Sequence, residues 1–64
     1  MRAYVRHLRA NGYCGAAAAP WFAQHGLDWK DFVKNGIELD TLRAIDDLAA
    51  RKVVAAAEAE YGRG

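Results

Sequence analysis

Hydrophobic positions recur at helical spacing along most of the chain, and no stretch alternates apolar and polar residues as a half-buried strand would. Tyr4, Val5 and Leu8 form a narrow stripe on a short helix over Tyr4–Ala10, which Asn11-Gly12 stops. A second helix is expected to start between Gly15 and Ala18 and to end at Gln24 or His25. Pro20 belongs in its first turn, where the missing N–H forfeits no bond. His25-Gly26 ends that helix, and Asp28 caps a third over Asp28–Asn35. Trp29, Phe32 and Val33 fall there at i, i+3 and i+4, so the turn sets Trp21 or Phe22 against Trp29 or Phe32. Asn35-Gly36 is a further stop, Ile37-Glu38-Leu39 a connector, and Asp40 the cap of a helix holding Thr41, Leu42 and Ile45. From there to about Tyr61 strong helix formers dominate. An unbroken helix would seat Asp46 beside the stripe of Leu42, Ile45, Ala49, Val53 and Ala56. A break at Ile45–Asp47, with Asp46 capping the last helix, avoids that conflict. Residues 61–64 are expected to fray. The pattern predicts an all-α fold: one small domain over 1–64, a bundle of four to five short helices.

Length limits what such a bundle can bury. A chain of 64 residues leaves little margin between apolar burial and ordering entropy. Fourteen residues are alanine, so much of the 53% hydrophobic fraction brings little area to a core. The larger core candidates are Tyr4, Val5, Leu8, Tyr13, Trp21, Phe22, Leu27, Trp29, Phe32, Val33, Ile37, Leu39, Leu42, Ile45, Leu48, Val53 and Val54. Cys14 is the one cysteine, which excludes an intrachain disulfide and reads as a small buried hydrophobe. His7, Cys14 and His25 lack zinc-site spacing, and no nucleophile sits near a base in a recognisable pattern. Neither a catalytic constellation, a metal site nor a cofactor is implied. No apolar run approaches a signal peptide or a membrane span, so a soluble protein is expected.

The net charge of +1 conceals an uneven distribution. Residues 1–27 carry Arg2, Arg6 and Arg9 and no acid, hence +3; residues 28–64 carry six bases and eight acids, hence −2. Arg2, Arg6 and Arg9, spaced i, i+4, i+7, are expected on one face of the first helix. That face is either solvated or a basic stripe for phosphate or an acidic protein surface. The two tryptophans are either core or interface anchors, since tryptophan is enriched at binding hot spots. The partner-binding candidates are therefore Arg2, Arg6, Arg9, Trp21 and Trp29. Copies could also meet head to tail, basic first helix to acidic last third. A helix-turn-helix DNA binder is the alternative, with Asp28–Asn35 as its recognition helix. Lys30, Asp31 and Lys34 are a poor set for base edges, so sequence-specific DNA binding is not expected.

The order "HLRANGYC", "WFAQHGLDWKDFVKNGI" and "LRAIDDLAARKVV" resembles small, mostly uncharacterised helical proteins of tailed bacteriophages and proteobacterial prophages. Tyr13-Cys14, Trp21-Phe22, His25-Gly26-Leu27-Asp28-Trp29, Phe32 and Gly36-Ile37 carry the resemblance, which spans roughly residues 4–57. Where relatives tend to read Thr-Gly-Asp before the last helix, this chain has Ile45-Asp46-Asp47. The resemblance implies a viral origin and transfers no activity. With the residue chemistry it points to a non-enzymatic binding protein, a small structural or assembly component of the virion working through protein contacts. Such a protein is made in the host cytoplasm and incorporated in the particle. A host-takeover inhibitor of a bacterial protein is a further alternative.

Overall fold

Two short backbone segments far apart in sequence frame the molecule. Arg2–Ala3 (β1) and Ile37–Glu38 (β2) pair antiparallel, with Arg2 opposite Glu38 and Ala3 opposite Ile37. The computed structural model describes residues 1–62 and is otherwise mostly helical. Between the strands run α1 (Val5–Arg9), α2 (Gly15–Gln24) and α3 (Trp29–Asn35); after them come α4 (Leu39–Arg43) and α5 (Leu48–Gly62). The fold is thus largely helical with a small sheet, which corrects the all-α expectation. A two-residue ladder is too short to leave an alternating pattern, and its partners lie some 35 positions apart.

The helix boundaries follow the local chemistry closely. α2 starts at the early end of the expected range because Cys14 closes its first turn: its carbonyl accepts from the N–H of Ala17 and Ala18 at 3.1 and 2.9 Å. Pro20 is therefore the sixth residue of the helix and not in the first turn. The carbonyl that loses its partner is that of Ala16, an exposed residue, where water can replace the bond. The break before α5 falls in the expected place, but its cap is Asp47, whose Oδ1 accepts from Ala49 N–H at 2.8 Å. Asp46 instead pairs with Arg51 on the surface.

In α5, Ala50, Val53, Val54 and Ala57 are buried, and Leu48, a core candidate, stands 65% exposed. Val33 is likewise exposed, because Trp29 and Phe32 already direct the inner face of α3. Phe22, Phe32, Leu39 and Leu42 form the heart of the core with the α5 stripe, and Ala3 and Ala18 fill the close contacts. The expected fraying does not reach Tyr61: it lies in α5, and its hydroxyl donates to Arg2 carbonyl at 2.6 Å, tying the helix end to β1. Residues 63–64, the rest of that expectation, lie outside the described residues.

Candidate functional site

The turn between α2 and α3 positions the aromatic residues. Gly26 has φ +71°, and two bonds close the helix behind it: Leu27 N–H to Phe22 carbonyl at 2.8 Å and Gly26 N–H to Ala23 carbonyl at 3.1 Å. This is the paired bonding of a Schellman stop. Asp28 then caps α3, accepting from Asp31 N–H at 3.2 Å. The chain reverses within a few residues and stacks the rings. Phe22 lies 5.2 Å from Trp29 and 4.7 Å from Phe32, centroid to centroid, as the pattern predicted. Trp21 flanks Phe22 at 5.4 Å and meets His25 at 4.4 Å with the rings tilted by 49°.

α2 packs on α3, whereas α5 packs on α1 and α4. The space between α2 and α5 is a groove of about 230 Å³. Ala17, Ala18 and Trp21 form one wall and Ala49, Ala50 and Val53 the other. Leu8, Phe22, Phe32 and Leu42 line its base, and Tyr13 stands beside them. No histidine, cysteine or carboxylate lines it. Alanine on both walls creates the groove, since short side chains cannot bridge two separated helices. The volume exceeds the roughly 150 Å³ cavity known to take benzene and falls below the roughly 300–1,000 Å³ of drug-sized pockets. One large apolar side chain matches it. Trp21 also carries a buried indole Nε1–H with no hydrogen-bond partner, a costly state for a donor.

A second cleft, between α1 and α5, is lined by Arg6, His7 and Glu60 among alanines. Arg6 donates to both Glu60 carboxylate oxygens, at 2.8 and 2.6 Å, and its guanidinium covers the Tyr4 ring at 4.8 Å. The hydrogen bonds from Arg6 hold the Glu60 carboxyl down at about 2, and the same pairing raises the Arg6 guanidinium. His7 is 3% exposed. Its Nδ1 accepts Tyr4 N–H at 2.8 Å, so the neutral ring carries its proton on Nε2. That nitrogen lies 3.2 Å from Glu60 but lacks the alignment of a hydrogen bond. These groups neutralise one another and fasten the two ends of the chain together.

The structure separates the sequence candidates. Arg2 lies on β1, not on the first helix, so the three arginines do not share one helical face. It sits 3.3 Å from Glu38 and donates to the carbonyls of Asn35 and Gly36. Arg6 is held by Glu60, and only Arg9 has no carboxylate within 4 Å among the described residues. Arg2 and Arg6 thus each meet a carboxylate, so two of the five cations that the DNA-binding alternative would gather on one face are compensated within the chain. Trp21 lines the groove; Trp29 packs within the aromatic cluster and covers Gly15, where a Cβ would come 3.2 Å from its ring. Cys14 is exposed, not buried, because its backbone serves as the cap of α2 and leaves the thiol outside. The buried His7 and the groove alanines were missed from sequence. Spacing to Tyr4 was the one local signal for His7, and nothing local marks the alanines.

No family model matches the chain, and no curated protein or solved structure matches it. Among the described residues no cluster of His, Cys, Asp or Glu could hold a metal ion, and no helix is long and apolar enough to cross a membrane.

Proposed function

We propose that this is a non-enzymatic binding protein that takes up a large apolar side chain of a partner protein in the groove between α2 and α5. The observation that carries the reading is the groove itself, apolar, aromatic-based and walled on one side by Trp21. Interface hot spots are such desolvated pockets filled by one anchor residue. The groove walls offer no acid, base or nucleophile beyond the Tyr13 hydroxyl, which supports binding over catalysis. The resemblance to small phage and prophage proteins supports the finer reading, a structural or assembly component of the virion.

The test combines mass spectrometry of purified particles with a groove-filling variant. Wild-type protein should be found in stoichiometric amounts, and Ala49→Trp, which fills the groove from the α5 wall, should be depleted from particles while keeping its helicity. Particles without the chain would transfer the reading to a host-directed inhibitor acting through the same groove. Equal incorporation of both proteins would sink the groove as the contact surface.

A further inference from the structure

Resting on that reading, we infer that the groove is built for an amphipathic helix that carries carboxylates beside its apolar anchor. Internal pairing leaves the charges of this protein unevenly spent. Glu38, Asp40, Asp46, Glu58 and Glu60 each meet a cation of the same chain. Asp28 and Asp47 cap helices, and Asp31 accepts from Asn35. Among the described residues Arg9, Lys30, Lys34 and Lys52 are exposed and have no carboxylate within 4 Å, Lys30 and Lys34 on α3.

Two of them, Arg9 and Lys52, are carried by elements that meet at one end of the groove. Asn11 bridges the elements that carry them, its Nδ2 donating to Lys52 carbonyl at 3.1 Å and to His7 carbonyl at 3.3 Å. Gly12 N–H bonds to Arg9 carbonyl at 3.0 Å, so both residues flank the Asn11-Gly12 turn. Tyr13 follows that turn, and Leu8 and Val53, beside Arg9 and Lys52 in sequence, line the groove with it. α2, the opposite wall, contains no charged residue. The occupant therefore meets uncharged small side chains along its length and positive charge at one end. Alanines on both walls admit a helix at close range, and the 230 Å³ volume admits one anchor residue. Complementary charge at such a rim steers encounter and selects among partners that share the anchor.

Three helical peptide probes test this against the full chain: a phenylalanine anchor flanked by glutamates, the same anchor flanked by lysines, and the glutamate peptide with alanine for phenylalanine. Binding is read from the NMR shifts of the Trp21 indole N–H and of the Ala17, Ala49 and Val53 signals. The glutamate-flanked anchor should bind about tenfold more tightly than the lysine-flanked one in low salt, and the alanine peptide should not perturb the groove. Lys52→Glu, which alters an exposed side chain, keeps the carbonyl bonded to Asn11 and leaves Arg9 opposed by a carboxylate, should abolish the preference. Equal binding of both anchored peptides would overturn the charge inference and leave the groove reading standing. Absence of groove shifts with any peptide would overturn both. Concentration-dependent self-association with the same shifts would identify a second copy as occupant and likewise overturn the acidic partner.

Discussion

Gly36 offers the sharpest test of the packing, because three elements meet there. It ends α3, begins the approach to β2, and lies against the N-terminal strand with φ +77°. A Cβ at this position would stand 2.6 Å from Tyr4 Cε1 and 2.7 Å from Ala3 carbonyl oxygen. Neither can yield cheaply: Ala3 is fully buried in the sheet, and the Tyr4 ring is held under the Arg6 guanidinium. Gly36→Ala should therefore incur about 1–3 kcal/mol for a backbone conformation (ψ −174°) essentially confined to glycine and about 1–3 kcal/mol for forced displacement. The combined loss of about 2–6 kcal/mol is a large part of the roughly 3–10 kcal/mol expected for a domain this small. Gly26→Ala is the internal control, since Gly26 has φ +71° but nothing within 4 Å of its built Cβ. It should show only the backbone part, about 1 kcal/mol. Urea unfolding followed by circular dichroism gives both values. Equal losses at the two glycines would refute the close approach of the β1 segment to Gly36, and with it the sheet that frames the fold.

Further outcomes follow from the two ends of α5. Asp47→Ala should destabilise by about 1 kcal/mol through loss of the helix cap, whereas Asp46→Ala, on an exposed ion pair, should change stability by less than about 0.5 kcal/mol; thermal melts that rank them the other way would move the cap. Tyr61→Phe keeps the ring and loses the bond to Arg2 carbonyl, and should lower stability by about 1 kcal/mol in urea titrations. Glu60 is depressed from its ordinary 4.5 to about 2, so its contribution is complete above the ordinary value and is lost as pH falls toward 2. Glu60→Gln should flatten the melting temperature across that acid window, and high salt should weaken the contrast; an unchanged acid slope would mean the Arg6–Glu60 pair is solvated in solution.

What the sequence disclosed was local. The Gly26 stop, the Asp28 cap and the meeting of Phe22 with Trp29 and Phe32 all arise within about ten residues, where spacing and turn chemistry decide the geometry. The β1–β2 pairing arises from a distant approach, and two-residue strands carry no periodic signature. Leu48 was a core candidate by residue type, yet the inner face of α5 is Ala50, Val53, Val54 and Ala57, a choice made by packing against α1 and α4. The arginines were legible as charges, but their partners Glu38 and Glu60 come from other elements. Of the candidate site, Trp21 stood out by residue type. The groove beside it is a gap between α2 and α5, made by alanines that read equally well as plain helix formers.

The central claim is that this gap is a preformed apolar binding surface. Benzene titrated into uniformly labelled protein tests it most directly, because it requires no knowledge of the partner and the groove alanines supply methyl probes. Saturable shifts are expected at the methyls of Ala17, Ala18, Ala49, Ala50 and Val53 and at the Trp21 indole alone, abolished by Ala49→Trp. Shifts scattered over the surface, or none at concentrations near benzene's solubility, would contradict it.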